Sequence, residues 1–415
     1  MELGQDFTAK IESVAYPGRA IARVDGVVVF VDGLLPGEVA RLKVTRVKPS
    51  YAEAAIVGLD SPSPDRLPAA ADPATFVHAP GCVYDHVSHD AEVRIKQSQL
   101  ESFLSRIPCG TPRFDPPFAS PLPEHYRNKI VLHAAWGEKG DPAPEGLRRG
   151  NRSLRLGYVR DDGVEGVTDI PQCPLARGPI NERLRALREK PATLARLRQG
   201  QTVTLRWTAA DGVLWWIDSP GNLPPVTEQS PIGPMQVPAD GFYQMNPEVA
   251  TELVKHVRDT FVSRGGVGKQ LVDLYCGVGV FGLACAKTGG ANLWGVESYA
   301  PGTRAARLNA KTHGIAANFE SADVGRWIRS RAADTLDWDD ATVIVDPPRA
   351  GLAQDVAEAI GRRKPARICY VSCEPSTLSR DLTRLASAGY RAVSARLFDM
   401  FPRTAHFESF VWLER

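Results

Sequence analysis

The order of apolar and polar positions divides the chain into stretches of different periodicity. Over residues 1–60, short Val-rich runs alternate with PG and DG turns: FTAKIESVAY, RAIARVDGVVVFVDGL, EVARLKVTRVKPSY and AEAAIVGLD. Period-two runs broken so regularly by turn chemistry predict about five strands and a small barrel of the OB type. Residues 61–81, SPSPDRLPAAADPATFVHAPG, carry Pro and Ala but neither period, and read as a linker. Val93, Leu100, Phe103, Leu104 and Ile107 then recur at helical spacing over 90–107. Residues 125–240 are β-rich again, with RNKIVLHAAW, SLRLGYVR, GVEGVTDI, TVTLRWTA and GVLWWID as strand candidates.

From residue 241 the pattern changes once more. Apolar strands QLVDLYC, NLWGVES, TVIVDPP, RICYVSC, YRAVSARLF and FESFVWLE appear, with helical stretches between the earlier ones. Alternating strand and helix predicts a doubly wound, Rossmann-like α/β sheet, with antiparallel strands at its end. The expected organisation is therefore a barrel over 1–60, a linker and β-rich central domain over 61–240, and an α/β domain over 241–415.

Composition changes this picture little. With 43% hydrophobic and 24% charged residues among 415, the chain is an ordinary globular one. A net charge of +2 neither demands nor excludes a nucleic-acid partner, so local clusters must decide. Arg41, Lys43, Arg46 and Lys48 share a predicted strand and suit a solvated face as well as a nucleic-acid contact. Arg148, Arg149, Arg152, Arg155 and Arg160 crowd one strand–turn region and favour a polyanion surface. The seven cysteines show no C-x-x-C spacing, and the N-terminus MELGQDFTAK has no apolar core. Reduced thiols and a cytoplasmic location are expected. No apolar run is long enough to span a bilayer.

The candidate chemistry gathers at strand ends. In VDLYCGVGVFGLACA, Gly277, Gly279 and Gly282 form G-x-G-x-x-G after a buried strand, and Glu297 lies twenty residues after Gly277. Such a turn lets backbone approach a ligand, and the acid accepts from ribose hydroxyls; a dinucleotide and S-adenosylmethionine both fit. In TVIVDPPRAGL, Asp346 ends a hydrophobic strand and two prolines stiffen the segment after it. A dehydrogenase has no obvious use for a rigid D-P-P, whereas a methyltransferase must hold a planar base beside its methyl donor. Cys373 ends the strand RICYVS, just before a helix opened by Pro375 and Ser376, where a thiolate is favoured. Taken alone such a cysteine is more often core than catalytic, and Cys369 reads as a core thiol. Glu408 interrupts the apolar strand FESFVWLE and by itself reads as pointing to solvent. Gln244 and Asn246 in GFYQMNP either cap the next helix or reach ligand polar groups.

One reaction joins these groups. The C5 carbon of uracil is a weak nucleophile, and a thiolate adding at C6 moves electron density to C5. After methylation a general base must remove the C5 proton so that the thiolate can leave. The substrate base must also leave its stack.

DLYCGVGVFGL, VDPPRAGL, YVSCEPSTLSRDL, GFYQMN and FPRTAHFES together resemble the RNA uracil-5-methyltransferase family. YRNKIVL and LRLGYVR…TDIPQCPL resemble its central domain, and GRAIARVDGVVVFVDGLLPGE its N-terminal RNA-binding TRAM barrel. The resemblance implies Cys373 as nucleophile and Glu408 as proton acceptor. It implies Gln244, Tyr275, Glu297, Asp323 and Asp346 around S-adenosylmethionine. Family members often carry asparagine where this chain has Val280, so one cofactor contact is expected to be missing or replaced. Ribosomal-RNA members hold a four-iron, four-sulfur ([4Fe–4S]) cluster on four cysteines. Here Cys82 and Cys173 match two ligands, while the other two positions fall near Pro73 and Ala79, so vestigial thiols are expected and a cluster is not. The TRAM-like barrel favours ribosomal over transfer RNA. An RNA cytosine-C5 methyltransferase is disfavoured, because DPPR lacks the cysteine of a D-x-P-C motif. A nicotinamide-dependent dehydrogenase would leave Cys373, Asp346 and Glu408 unused, and a non-catalytic RNA-binding protein would tolerate loss of Cys373.

Overall fold

A computed structural model of the chain describes residues 1–108, 110–139, 148–149, 152–160, 166–190, 197–221 and 223–415. Two compact units emerge, and both are discontinuous in sequence. The first comprises Met1–Ser120, Pro348–Gly351 and Ser372–Trp412; the second comprises Pro121–Pro347, Leu352–Val371 and Leu413–Arg415.

The first unit begins with the predicted barrel. Strands β1 (Asp6–Ala15), β2 (Arg19–Val24), β3 (Val27–Val31), β4 (Val39–Val47) and β5 (Tyr51–Ser61) close in the order β1-β2-β3-β5-β4. Alternation decides which faces turn inward. On β4, Ala40, Leu42 and Val44 are buried while Arg41 and Lys43 are exposed. The basic face of β4 is partly neutralised by its neighbour, with Arg41 3.0 Å from Asp60 and Arg46 3.8 Å from Glu53.

The Pro- and Ala-rich stretch after the barrel is anchored by a buried ion pair. Arg66 donates from Nε and Nη2 to both carboxylate oxygens of Glu38, each at 2.7 Å, and from Nη2 to the Gly33 carbonyl at 2.7 Å. Glu38 also accepts the amides of Leu35 at 2.8 Å and Ser63 at 3.0 Å, so this charge is fully hydrogen-bonded.

Helix α1 (His89–Leu104) comes next and carries a second buried charge cluster. Lys96 Nζ donates to Glu92 Oε1 and Asp399 Oδ1, both at 2.7 Å, and to the Phe401 carbonyl at 3.1 Å. Asp399 also meets His89 Nε2 at 2.7 Å, and Glu92 accepts the Arg403 amide at 2.7 Å. Within the same unit, strand Arg391–Phe398 lies between Arg113–Phe114 and the strand that opens at Glu408.

The second unit contains the central β-rich region as an antiparallel sheet. Its order is Val167–Asp169, Arg152–Val159, Lys129–Lys139, Thr202–Thr208, Gly212–Ile217, with Arg148–Arg149 paired to the second of these. The side chains of Arg148, Arg149 and Arg152 lie outside the described residues. Buried Arg206 ties this sheet to the segment 228–241. It donates to Glu228 at 2.8 Å and to the carbonyls of Ala239 at 3.0 Å and Gly241 at 3.1 Å.

The α/β part of this unit has parallel strands in the order Ala317–Ser321, Asn292–Glu297, Gln270–Leu274, Thr342–Val345, Arg367–Ser372. The order runs outward in both directions from Gln270–Leu274, so the switch point lies between it and Thr342–Val345. Ligands of doubly wound sheets bind beyond the carboxyl ends at that point. Residues 275 and 346 stand there.

Candidate active site

Tyr275 ends its strand with φ of 63°, a left-handed conformation rare for a bulky residue and found at functional turns. The glycine turn comes next, with Gly277 at φ 54° and Gly279 at φ 84°. Gly282 is required for a different reason. A Cβ there would stand 2.7 Å from Asp273 Oδ2, which accepts the Gly282 amide at 2.9 Å. Asp273 is therefore structural, and its burial pushes its carboxyl up to about 8. The Gly277 amide donates to Glu297 Oε2 at 3.1 Å, and the Tyr299 amide to Glu297 Oε1 at 2.7 Å. Glu297 is thus aimed by the glycine turn and by the start of the helix Ala300–Thr312.

Asp346 stands just after strand Thr342–Val345, and enclosure of its carboxyl pushes it up to about 7. Asp323 caps the short helix Val324–Trp327, accepting the Arg326 amide at 2.8 Å. Gln244 is 5% exposed, and its Oε1 has no protein hydrogen-bond partner. Its backbone is held from the central sheet by Asn128, which donates to the Gln244 carbonyl at 3.3 Å. Asn246 caps the next helix, Pro247–Ser263, through the Val249 amide at 3.4 Å. Of the two readings open for GFYQMNP, capping belongs to Asn246, while Gln244 keeps an unsatisfied acceptor. A left-handed Tyr275, a glycine turn with open space at Gly277, an aimed Glu297 and an orphaned Gln244 acceptor make a donor set that fits an adenosyl cofactor. Val280, at the first position of the helix Val280–Gly289, is buried and offers no polar group there.

Cys373 and Glu408 both belong to the first unit. Cys373 stands just after strand Arg367–Ser372 and is half-buried, whereas Cys369 within that strand is fully enclosed, which drives its thiol well up. Helix Pro375–Ser387 opens at Pro375 as expected, with Glu374 as its N-cap; Glu374 Oε1 accepts the Ser376 hydroxyl at 2.7 Å. Thr377 Oγ1 donates to the Arg349 carbonyl at 3.1 Å, and Arg380 Nη2 to the Ala350 carbonyl at 2.7 Å, so the helix holds the segment after Pro348.

Glu408 corrects the expectation from its strand pattern: it is 3% exposed, turned into the protein and not to solvent. Strand Glu408–Glu414 is buried on both faces, so alternation there does not report solvent. A carboxylate is not buried in an apolar strand without a task or a partner.

The structure adds a residue that the motifs do not contain. Tyr16, in the turn after β1, donates its hydroxyl to Glu374 Oε2 at 2.8 Å and stands 3.0 Å from His406 Nδ1. It bridges the residue after Cys373 and the residue two before Glu408. Burial, then the Glu374 bond, drives its phenol upward, so it remains a donor. A tyrosine beside a PG turn 358 residues from its partner carries no local signal.

The donor set does not fit an iron–sulfur cluster. Pro73 and Ala79 have no ligand atoms, Cys82 is buried, and Cys173 Sγ already accepts the Tyr158 hydroxyl at 3.3 Å.

Strand order, switch point and glycine turn define the fold of a class I methyltransferase. Comparison with known proteins carries this further. Residues 234–415 match the family model described as tRNA (Uracil-5-)-methyltransferase, and residues 1–57 match the TRAM domain. The 23S rRNA (uracil(1939)-C(5))-methyltransferase RlmD of Legionella pneumophila is 29% identical over 98% of this chain and 97% of its own length. The tRNA (uracil(54)-C(5))-methyltransferase of Schizosaccharomyces pombe is also 29% identical, over 99% of this chain and 78% of its own. The crystal structure of the Pyrococcus abyssi tRNA (uracil-54, C5)-methyltransferase with S-adenosyl-L-homocysteine shares the fold at TM-score 0.70, with 23% identity over 98% of this chain and 100% of its own. The chain thus carries a TRAM domain over residues 1–57 and a uracil-5-methyltransferase domain over residues 234–415.

Proposed function

We propose that this RNA uracil-C5 methyltransferase acts on ribosomal RNA, with Cys373 as nucleophile and Glu408 as general base. The observation that carries the mechanism is the burial of Glu408 in the same compact unit as the half-buried Cys373. Cys373 Sγ forms a bond to C6 of the uracil, and the C5–C6 π electrons move toward C5 and the C4 carbonyl. S-adenosylmethionine, when bound, supplies the electrophilic methyl group that C5 takes up. Glu408 then accepts the C5 proton, the C5–C6 double bond re-forms, and the Cys373–C6 bond breaks. Gln244, Tyr275, Glu297, Asp323 and Asp346 hold the cofactor. Gln244 contributes its open acceptor and Glu297 the carboxylate aimed by the Gly277 amide. A cytoplasmic site of action accords with this substrate. No helix among the described residues is long and apolar enough to cross a membrane.

Ribosomal RNA is favoured by full-length correspondence with the Legionella enzyme, barrel included. Transfer RNA is the second reading, favoured by equal identity to the fission-yeast enzyme. Mapping 5-methyluridine in ribosomal and transfer RNA, from cells with and without this gene, decides between them. Cys373→Ala should abolish methylation while leaving RNA binding intact; turnover in that variant refutes the mechanism.

A further inference from the structure

The loop between the barrel and α1 holds a cluster that the methylation chemistry does not use. His78, Asp85 and His86 each offer a ligand atom, and these atoms all lie within 4.8 Å of one another. The cluster rests on a second, independent feature. His86 is 3% exposed, yet neither ring nitrogen makes a well-formed hydrogen bond to the protein. A buried imidazole with two open nitrogens is poorly explained as packing, because buried polar groups are ordinarily paired. Its ring lies 5.1 Å from that of His78, and Phe76 sits 5.1 Å from His78 and 6.4 Å from His86.

The carboxylate is already aimed. Asp85 Oδ2 accepts the Ala79 amide at 2.8 Å, while Oδ1 hydrogen-bonds His78 Nδ1. A metal ion bound here takes the place of the proton shared between His78 and Asp85, so that both become ligands. The loop is also braced from outside. The amides of Val83 and Tyr84 donate to the Arg403 carbonyl at 2.7 and 2.9 Å, and Arg403 Nη1 donates to the Val87 carbonyl at 2.7 Å. The nearby cation Arg66 is matched by both oxygens of Glu38, so it adds little repulsion.

We propose that His78, Asp85 and His86 bind one divalent transition-metal ion of the zinc, cobalt or ferrous class. Two imidazoles and one carboxylate are the donors these ions prefer, and the ligand count leaves one position for water. Bond lengths of about 2.0–2.1 Å require the three atoms to draw in by roughly an ångström, which the part-exposed His78 side chain can supply. The donors are nitrogen and oxygen, so the site differs in kind from a thiolate-held cluster. Its placement beside Arg403 would let the ion stiffen the segment leading to Glu408.

The test uses the full-length protein, stripped with chelator and titrated with Co2+ and then Zn2+. The expected result is one equivalent bound, with a cobalt d–d spectrum displaced by zinc and a raised melting temperature. His78→Ala and His86→Gln should each weaken binding at least tenfold, and Cys82→Ser should leave it unchanged. His78 is part-exposed, so its variant keeps the test decisive if His86→Gln misfolds. Absence of stoichiometric binding, binding unaffected by His78→Ala, or binding lost in Cys82→Ser overturns the proposal. Iron with acid-labile sulfide in anaerobically purified protein does so as well.

Discussion

Lys96→Met removes the cation on which the buried charge cluster of α1 depends. Lys96 is fully enclosed and its ammonium is shared by Glu92 and Asp399, each at 2.7 Å. These two anions drive its protonation upward against the effect of burial. Methionine fills the volume of the stem but leaves two carboxylates facing each other. Breaking a buried pair from one side costs about 3–5 kcal/mol. Three residual contacts soften this: Asp399 retains His89 at 2.7 Å, and Glu92 retains the Arg403 amide at 2.7 Å and the Arg403 guanidinium at 3.5 Å. Burial already raises the Glu92 carboxyl, so protonation is its escape. The lower end, about 3 kcal/mol, is expected from denaturant unfolding at pH 8. Without Lys96 the folded carboxylates titrate above their unfolded values, so the variant holds more protons folded than unfolded and gains on wild type as pH falls. The deficit should shrink between pH 8 and 5. A loss under about 1 kcal/mol, or a deficit that grows on acidification, would refute the assignment of this cluster as one interdependent charge network.

Tyr16→Phe removes the hydroxyl joining Glu374 to His406 and should lower single-turnover methylation about tenfold, roughly 1.4 kcal/mol, with cofactor affinity unchanged; an unaltered rate excludes a positioning role. Glu408→Gln should stall proton removal and accumulate a covalent RNA adduct on Cys373, seen as a shifted band on a denaturing gel; continued methylation without adduct excludes it as the base. Asp273, raised to about 8 in the fold, keeps a proton that the unfolded chain loses. Its stabilising contribution is complete below the ordinary carboxylate range and is lost as pH rises toward 8, at up to about 1.4 kcal/mol per pH unit. Asp273→Asn should flatten this limb of the stability profile, and an unchanged profile would place the titration elsewhere.

Periodicity is a reliable guide wherever a strand has one wet face or a long apolar run. The five barrel strands, the helix before residue 107 and the glycine turn are all legible that way. Strand Ala317–Ser321 escapes it because ANFES offers neither alternation nor an apolar run; it is an edge strand held by pairing to Asn292–Glu297. Pattern alone misplaces Glu408 because its strand has no solvent face. Tyr16 is invisible for another reason: its role depends on partners in the last part of the chain, and no local rule reaches that far. The arrangement of compact units is equally hidden, since both are assembled from separated segments.

Lys96 and Asp399 are 303 residues apart. During synthesis, α1 leaves the ribosome long before its counter-ions near residue 400 exist. A nascent chain ending at Val371 carries the barrel and the ammonium but neither Asp399, Cys373 nor Glu408. The first compact unit therefore closes only when the segment Ser372–Trp412 has been released. In order of synthesis the barrel precedes Cys373 and Glu408 by more than 300 residues, yet all three belong to one compact unit. Truncation after Val371 should thus cost the segment Met1–Ser120 its stability as well as removing Cys373 and Glu408.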